Sequence, residues 1–289
     1  MLKEPVETGG QCAVKDGKWT SKVFSSQTWV VQLRSGIEGR VALVTGCGSA
    51  EGIGYAIARA LVGAGARVVV TATTARVHDR KAELGAALSG IADLTDAVQV
   101  AELFATIQSA LGPVEILVNN AGMVQTGRNI RRSGVEGLSD ESWAAHLAMN
   151  VTTAFHCIRA ALPAMRAAGW GRIVNISSIT GPITAIAGSS GYATAKAAVT
   201  GLTRATALEN AQHGITCNAV LPGWITTGSS SPREVRAGRA SPSRRSGTPD
   251  EVAACALFLA SGPASYVNGA MLVVDGANSL IEIKGAGAF

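Results

Sequence analysis

Four side chains suited to proton transfer stand close together in the second half of the sequence. Two adjacent serines, Ser177 and Ser178, are followed by Tyr192, and Lys196 comes four positions later. On a helix, residues four apart share one face, with Cβ atoms about 6 Å apart. A phenol titrates near ~10 in water, too high for a base at neutral pH, and a fixed ammonium nearby would move that pKa toward the working range. The spacing therefore predicts a proton-transfer site on a helix.

A strand is needed to bring a serine to that helix. Residues 171–176 are predicted to form a buried strand, so Ser178 would lie where the strand ends and a loop opens. Because side chains alternate along a strand, only one of Ser177 and Ser178 can face the site. A Tyr-x-x-x-Lys spacing by itself is more often a solvated helix face than a catalytic one. The interpretation therefore depends on the rest of the chain.

The rest of the chain alternates short apolar runs with Ala-rich, helix-length amphipathic segments. That alternation predicts an α/β fold, namely a single-domain Rossmann-type doubly wound parallel sheet with helices on both faces. Helix starts are predicted near Asp93, Ser139 and Thr248, where a capping residue or an N1 proline precedes an apolar-periodic run. The predicted strands are residues 41–44, 68–71, 116–118, 173–176, 215–220 and 271–274.

The first 38 residues differ in composition from the remainder of the chain. They are polar and show only a short alternating patch around Trp29. We expect residues 1–38 to form a loosely ordered, dispensable N-terminal extension, because little apolar area offsets an ordering cost of ~1–2 kcal/mol per residue. Docking of Trp19 or Trp29 on the body is the alternative. Residues 39–289 are expected to form the Rossmann-fold domain.

Composition argues against several functional classes. The net charge is +5, but the basic residues are scattered and aromatic residues make up only 4%, which disfavours a nucleic-acid partner. Five cysteines without CxxC spacing predict reduced thiols, and four histidines without a ligand pattern predict no metal site. No apolar stretch approaches the ~18 residues of a membrane span, and no signal-peptide core is present. We therefore expect a cytoplasmic protein that does not bind membranes.

A phosphate-binding pattern lies near the start of the predicted domain. The first predicted strand runs into a glycine-rich segment and then a helix with Ile53, Ile57 and Leu61 on one face. Glycines there let a pyrophosphate approach a helix N-terminus, whose free N–H groups and dipole attract anions. An ordinary glycine-rich turn is the alternative, but a strand before and a helix after favour a dinucleotide site. The glycines are Gly46, Gly48, Gly52 and Gly54.

Taken in order, these motifs make about 240 residues of the chain resemble the short-chain dehydrogenase/reductase family, especially its 3-oxoacyl-thioester reductases. The features that match are the glycine motif, Asp93 after the third strand, the Asn-Asn-Ala-Gly run of residues 119–122, Asn150, Ser178, the Tyr192/Lys196 pair and the Pro222-Gly223 turn after the sixth strand.

The resemblance implies a role for each catalytic position. Tyr192 would be the general acid in reduction and the base in oxidation. Lys196 would lower the Tyr192 pKa and bind the nicotinamide ribose. Ser178, which the family register favours over Ser177, would donate a hydrogen bond to the carbonyl oxygen as charge develops. Asn150 would hold a water that links Lys196 to solvent, although an ordinary polar residue is the alternative there.

A nicotinamide dinucleotide cofactor is also implied. Ala72 stands where NAD-specific members carry an acidic residue, so no carboxylate would repel a 2′-phosphate. Thr73, Thr74 and Arg76 could bind that phosphate, so we predict NADP(H), with NAD(H) as the alternative. Further cofactor contacts are implied for Ile53, Asp93, Leu94, Asn120, Ala121, Gly122, Tyr192, Lys196, Pro222, Gly223, Ile225 and Thr227.

Two departures from the family pattern bear on cofactor choice. Five residues, 47–51, separate the first and second motif glycines, where three are usual. In addition, Glu51 precedes the second glycine, where NADP-preferring members often carry a basic residue. The two signals for cofactor choice thus oppose each other, and neither affects the catalytic positions.

The predicted activity is NAD(P)(H)-dependent interconversion of a ketone and a secondary alcohol, similar to that of 3-oxoacyl-thioester reductases. The substrate would be a small carbonyl or alcohol, or an acyl thioester. A dehydrogenase that oxidises a secondary alcohol, sugar or steroid with NAD is the alternative. A dinucleotide sensor without chemistry is disfavoured, because such proteins usually lose the Tyr or the Lys. Enoyl-thioester reductases share a longer glycine loop but usually place six residues between Tyr and Lys.

Further expectations concern the surroundings of the site. The Gly/Ser/Pro-rich segment from Trp224 to Arg245 is predicted to be a mobile substrate lid. Trp224 and residues 183–187 would shape the pocket or, equally, belong to the core.

The resemblance also implies an oligomer. A homotetramer is expected first and a dimer second, with contacts through the long helices that carry Asn150 and Tyr192. Anionic ligands would suit the arginine clusters 128/131/132 and 239/244/245.

Overall fold

The computed structural model describes residues 35–122 and 133–281, and the backbone of residues 14–15 and 18–19. The chain divides into two compact units, Met1–Leu33 and Arg34–Phe289. In the first unit, strands β1 (Val14–Lys15) and β2 (Lys18–Trp19) pair antiparallel. Trp29 and the Arg128/131/132 cluster lie outside the described residues. Ser35 and Ile37, two residues of the predicted extension, belong to the larger unit. Ile37 is fully buried, and the carbonyl of Ser35 accepts a hydrogen bond from Gly262 N at 2.7 Å.

The larger unit is built on a seven-stranded parallel sheet, which confirms the predicted fold class. The strand order is β5-β4-β3-β6-β7-β8-β9. All six strands predicted by position are present, and a further strand, β5, joins them at the edge. The strands are β3 (Val41–Thr45), β4 (Arg67–Ala72), β5 (Leu88–Ile91), β6 (Ile116–Asn119), β7 (Gly171–Ile176), β8 (Ile215–Pro222) and β9 (Met271–Val274).

Helices cover both faces of the sheet. Side chains of α1, α2 and α8 pack on one face and those of α3, α5 and α6 on the other. On α1, Ile57 and Leu61 are buried, as the predicted apolar face requires. The helices are α1 (Ile53–Gly63), α2 (Arg76–Leu84), α3 (Ala97–Leu111), α4 (Asp140–Leu147), α5 (Thr153–Ala168), α6 (Ser190–Asn210), α7 (Pro232–Arg239) and α8 (Pro249–Ala260).

The predicted helix starts are confirmed by their caps. The Asp96 carboxylate accepts a hydrogen bond from Val98 N at the start of α3, and the Ser139 hydroxyl accepts one from Ser142 N at the start of α4. At α8, Thr248 and Glu251 form a reciprocal capping box around Pro249. Each side chain satisfies a backbone donor that the helix itself leaves free.

The strand order reverses at β3, and this reversal creates the crevice in which a site can form. The chain proceeds from β3 outward to β4 and β5, and then returns to β6 on the other side of β3. The loops that leave β3 and β6 therefore diverge above the carboxyl ends of the strands. In open parallel sheets, ligands bind at such a switch point. Both predicted cofactor motifs, after Thr45 and after Asn119, lie there.

The described residues show no membrane-spanning or metal-binding arrangement. None of their helices is long and apolar enough to cross a membrane. Within the same residues, no group of three or more His, Cys, Asp or Glu is placed to hold a metal ion. The thiols of Cys47, Cys157 and Cys217 are free and buried, and burial raises the pKa of Cys157 to about 12. Cys12 lies outside the described residues.

Candidate active site

Lys196 is held inside the protein where α6 meets the end of β7. Only 4% of the residue is exposed, and its Nζ donates a hydrogen bond to the carbonyl of Ile176 at 3.0 Å. Removing an ammonium from water disfavours its charged form, so burial lowers the pKa of Lys196 to about 8. The same Nζ lies 5.8 Å from the ring centroid of Tyr192, which stands one turn earlier on α6. The predicted Tyr/Lys pair therefore shares one helix face beside a strand end.

The two serines have different environments, and this difference separates their functions. The hydroxyl of Ser177 is buried and donates to the carbonyl of Lys196 at 2.8 Å, which fastens α6 to β7. Ser178 is only half-buried, and its Oγ accepts a hydrogen bond from Thr180 N at 3.1 Å. Within the described residues, that arrangement leaves the Ser178 hydrogen available for another acceptor. The geometry thus favours Ser178 over Ser177 as the donor to a substrate.

Asn150 lies in an irregular turn between α4 and α5. Residues Ala148–Thr152 form one turn of π-helix, a distortion that is frequent at functional sites. The Asn150 amide donates to the carbonyl of His146 at 3.0 Å, whereas no donor from the described residues reaches its buried Oδ1. A buried acceptor of this kind normally binds a water or a ligand. Oδ1 is therefore a buried acceptor to which no described residue donates, and its water-holding role stays a prediction.

The glycine-rich loop packs closely against the loop after β6. Gly46 has a φ of +72°, and a Cβ there would stand 2.9 Å from Asn120 Nδ2. A Cβ on Gly54 would stand only 2.5 Å from the same nitrogen. These two positions require glycine because a neighbouring loop fills the space. Gly52 precedes α1 without a side-chain cap, so the first-turn N–H groups of α1 can bind an anion.

The Asn120 side chain holds that loop in place. Its Nδ2 donates to the carbonyl of Thr45 at 3.0 Å and to that of Gly46 at 3.2 Å. The buried Thr45 hydroxyl accepts from Asn120 N and from Ala121 N at 3.0 and 2.9 Å. Asn120 is thus committed to shaping the cofactor loop through its side chain. Gly122 comes two residues later, and a Cβ on it would stand 2.9 Å from Asn150 Oδ1.

The residues predicted to bind the adenosine end surround the tips of β4 and β5. Thr73, Thr74 and Arg76 are exposed just beyond β4, and Arg76 Nε donates to Thr74 Oγ1 at 3.4 Å. Gly48 lies beside them, since a Cβ there would be 3.4 Å from Ala72 Cβ. In the loop after β5, the Asp93 carboxylate accepts from the hydroxyl of Thr95 at 2.7 Å. Leu94, which is buried, accepts a hydrogen bond at its carbonyl from His156 Nδ1 at 3.1 Å.

The segment after β8 leads into the predicted lid. Gly223 must be small because a Cβ on it would stand 2.6 Å from Asp275 Cβ. Ile225, near the start of the lid segment, forms a β-bridge with Gly247, two residues beyond its end. The two ends of the segment therefore lie side by side. The Thr227 backbone N–H donates to Ser230 Oγ at 2.9 Å. Between these ends lies α7, with a capping box formed by Ser231 and Glu234. The lid segment therefore contains a helix that the sequence interpretation did not specify.

Sequence reasoning missed several residues that support the site. The most important are Thr45, whose hydroxyl organises the loop after β6, and His146, whose carbonyl holds the Asn150 amide. Thr45 directly precedes Gly46, so its position in the motif was a usable signal. His146 has no such signal, because its relation to Gly191 on α6 appears only when the helices pack.

Comparisons with known proteins agree with this geometry. A family model described as enoyl-(acyl carrier protein) reductase matches residues 46–277. D-beta-hydroxybutyrate dehydrogenase of Cupriavidus necator is 38% identical over 262 residues, which are 83% of this chain and 98% of that protein. The 3-oxoacyl-(acyl-carrier-protein) reductase of Vibrio harveyi is 37% identical over 248 residues, covering 83% and 97%. A crystal structure described as a putative gluconate dehydrogenase from Agrobacterium tumefaciens has a TM-score of 0.78 at 34% identity, covering 86% and 100%.

The matched residues, the parallel sheet and the switch-point crevice define a nicotinamide-dependent oxidoreductase that acts on CH–OH and C=O groups. The chain belongs to the short-chain dehydrogenase/reductase family. The family resemblance seen in the sequence is thereby confirmed.

The two serines give a first test. We expect Ser178→Ala to lower turnover by ~10²-fold, the loss typical of one donor to a developing oxyanion, with little change in stability. Ser177→Ala should instead lower the free energy of unfolding by ~1–2 kcal/mol, because the buried carbonyl of Lys196 loses a donor. Steady-state kinetics and urea unfolding of both variants measure the difference. A larger loss of turnover in Ser177→Ala would show that the wrong serine was chosen.

The buried Lys196 gives a second test, in the cofactor-free protein. The folded pKa of about 8 lies below the unfolded value of ~10.4, so the unfolded chain holds more protons between these pH values. The contribution of Lys196 to stability therefore rises with pH over that window, by about 3 kcal/mol at order of magnitude. Lys196→Met lacks this pH-dependent contribution. The free energy of unfolding of wild type, measured in urea relative to that of Lys196→Met, should therefore rise between about pH 7.5 and 10. A difference that stays constant with pH would contradict the assignment.

Proposed function

We propose that Tyr192, Lys196, Ser178 and Asn150 form the catalytic set that interconverts a ketone and a secondary alcohol. The observation that carries the proposal is the clamp between β7 and α6. Ser177 binds the carbonyl of Lys196, and Lys196 in turn binds the carbonyl of Ile176. This double connection fixes the helix that bears Tyr192 against the strand end that bears Ser178.

Each of the four side chains then has a task, and that of Asn150 is to hold the water that links Lys196 to solvent. The glycine loop and Lys196 would hold a nicotinamide cofactor, which would supply a hydride to the carbonyl carbon in reduction and accept it from the carbinol carbon in oxidation. In reduction, Tyr192 gives its phenolic proton to the carbonyl oxygen, and in oxidation it takes the proton back. The Lys196 ammonium attracts the negative charge that the phenol oxygen acquires. Ser178 donates its hydrogen to the same carbonyl oxygen, which holds the substrate and stabilises developing charge.

Tyr192→Phe tests this assignment directly. The variant keeps the ring packing but has no acidic proton, so turnover should fall at least ~10²-fold in both directions. The dissociation constant for the reduced cofactor, measured by fluorescence titration, should change little because the loop contacts remain. Turnover close to wild type would exclude Tyr192 as the proton donor.

For the substrate, we favour 3-oxoacyl-thioester-like reduction. Three residues separate Tyr192 from Lys196, whereas enoyl reductases of the superfamily usually have six, and this supports carbonyl chemistry despite the matching family description. The relative named D-beta-hydroxybutyrate dehydrogenase supports oxidation of an alcohol, and so favours the alternative, a dehydrogenase that oxidises a secondary alcohol, sugar or steroid with NAD. Turnover of a panel of β-ketoacyl thioesters, diketones, sugars, steroids and secondary alcohols is measured by nicotinamide absorbance. The substrate with the highest kcat/KM decides between thioester reduction and oxidation of an alcohol, sugar or steroid.

For the cofactor, we favour NADP(H) over NAD(H). Thr74, Arg76 and Gly48 surround the end of β4, and Ala72 there has no carboxylate to repel a 2′-phosphate. Glu51, the residue that argued against NADP, lies elsewhere: its carboxylate contacts Gly228 at the base of the lid. This contact of Glu51 with the lid segment supports the preference for NADP(H), because it weakens the objection to a 2′-phosphate beside Arg76.

Arg76→Ala tests the cofactor assignment. We expect NADPH binding to weaken by about 1.5–3 kcal/mol, the loss for a charged hydrogen bond, and NADH binding to stay nearly unchanged. Arg67→Ala is a matched control, because Arg67 is exposed at the opposite end of the same strand. Isothermal titration gives both constants. A wild-type kcat/KM higher for NADH than for NADPH would overturn the preference.

A homotetramer remains our first proposal for assembly and a dimer the second. Leu208 on α6 is 83% exposed and Phe155 on α5 is 41% exposed, and large apolar side chains on adjacent helices are typical of a contact between subunits. The N-terminal extension and the cytoplasmic location also stay predictions from the sequence.

Light scattering on variants tests the assembly. Wild type at micromolar concentration should have four times the 29.4 kDa chain mass, or twice that mass for a dimer. Leu208→Glu should dissociate it, because a charge would be buried without a partner. Val98→Glu is the control, since Val98 is 65% exposed on α3, outside the proposed interface. A monomeric wild type would refute both assemblies.

A further inference from the structure

His146 is a buried histidine that contacts Gly191 at the start of α6 and Asn150 in the π-helical turn. It lies in the last turn of α4, and only 2% of it is exposed. Its imidazole lies against Gly191, the residue immediately before Tyr192. A Cβ built on Gly191 would overlap the ring edge at Cδ2 and stand 2.9 Å from Cγ. No side chain larger than glycine fits at position 191 while the imidazole keeps its place.

The same residue also holds the Asn150 side chain. The carbonyl of His146 accepts a hydrogen bond from Asn150 Nδ2 at 3.0 Å. This bond orients the amide, so that Oδ1 is directed at Gly122 in the loop after β6. The ring of His146 therefore touches the start of α6, and its backbone fixes the residue proposed to hold the proton-relay water.

We propose that His146 is a positioning residue that keeps Tyr192 and Asn150 in register through its contact with Gly191. This inference rests on the proposed function, because it assumes that both residues act in proton transfer. Protein interiors are packed like organic crystals and deform little, so a shift of the ring is passed to its neighbours. A shift of His146 as a whole residue would move both the ring that meets Gly191 and the carbonyl that holds the Asn150 amide.

The contact makes a prediction about paired substitutions. Gly191→Ala should push the imidazole away and lower kcat by ~10–10²-fold, the cost of about 1 Å of misplacement. His146→Ala should also lower kcat, because it leaves a gap beside α6. In the double variant the new methyl group enters that gap, and kcat should recover to within ~3-fold of wild type, since contacting residues are coupled. Gly191→Ala would then lower kcat when His146 is present and raise kcat in the His146→Ala background.

Gly63→Ala is the control, on a helix outside the proposed subunit contact. Gly63 is exposed at the end of α1, and a Cβ on it meets nothing within 4 Å, so both kcat and the thermal midpoint should be retained or slightly improved. The KM for cofactor should stay within ~3-fold of wild type in every variant, because the substitutions leave Gly46 and Gly54 and their packing against Asn120 unchanged. A purely structural role would lower the thermal midpoint and leave kcat of the folded enzyme unchanged.

The outcomes separate this inference from the proposed function. If Tyr192→Phe abolishes turnover and the double variant recovers, both are supported. Should Tyr192→Phe abolish turnover while the losses from His146→Ala and Gly191→Ala simply add, the positioning role is wrong and the catalytic assignment stands. An active Tyr192→Phe would overturn the proposed function itself. If Gly191→Ala alone does not fold, the single variant His146→Ala is compared with the double variant. Only the proposed contact predicts a higher kcat in the double variant, so this comparison tests the positioning role by itself.

Discussion

The site depends on the connection between the end of β7 and the helix α6. Two buried hydrogen bonds run in opposite directions there, from Ser177 to the carbonyl of Lys196 and from Lys196 to the carbonyl of Ile176. Burial lowers the pKa of Lys196, so the ammonium is held at a cost in free energy. Under the proposed function this cost has a return, because a charge in a region of low dielectric acts more strongly on a neighbouring phenol. The position of Lys196 is thus a compromise between stability and electrostatic effect.

A continuous series of close contacts connects this clamp to the cofactor loop. Gly46 and Gly54 pack on Asn120, Gly122 packs on Asn150, and the π-helical turn that carries Asn150 packs on α6. Glycine at the contact positions lets the backbones approach closely, and the amides of Asn120 and Asn150 satisfy the carbonyls they meet. The glycine-rich loop and the π-helical turn that carries Asn150 are therefore positioned against each other by a few side-chain amides.

The sequence was sufficient to predict the fold and the identity of the motif residues. Strand positions can be read from β-branched runs, and the caps at Asp96, Ser139 and Thr248 from local chemistry. Relations between distant residues could not be predicted in this way. Nothing local distinguishes Ser177 from Ser178 except register, and nothing in the sequence places His146 beside Gly191 or turns the helix into a π-turn at Asn150. These features arise only when helices pack, since tertiary contacts override local preference.

The extended glycine loop shows how one local change acquires its meaning from tertiary structure. Read along the chain, Glu51 occupies a motif position associated with cofactor choice and argues against a 2′-phosphate. In the folded protein the Glu51 carboxylate contacts Gly228 in the lid segment, and Gly48 lies beside Ala72 and Thr74. Exposed charges are screened over a Debye length of about 8 Å at physiological ionic strength, so the effect of a carboxylate depends on what the fold places around it. The motif position alone therefore does not assign the charge of Glu51 to a ligand, because its neighbours are set by tertiary structure.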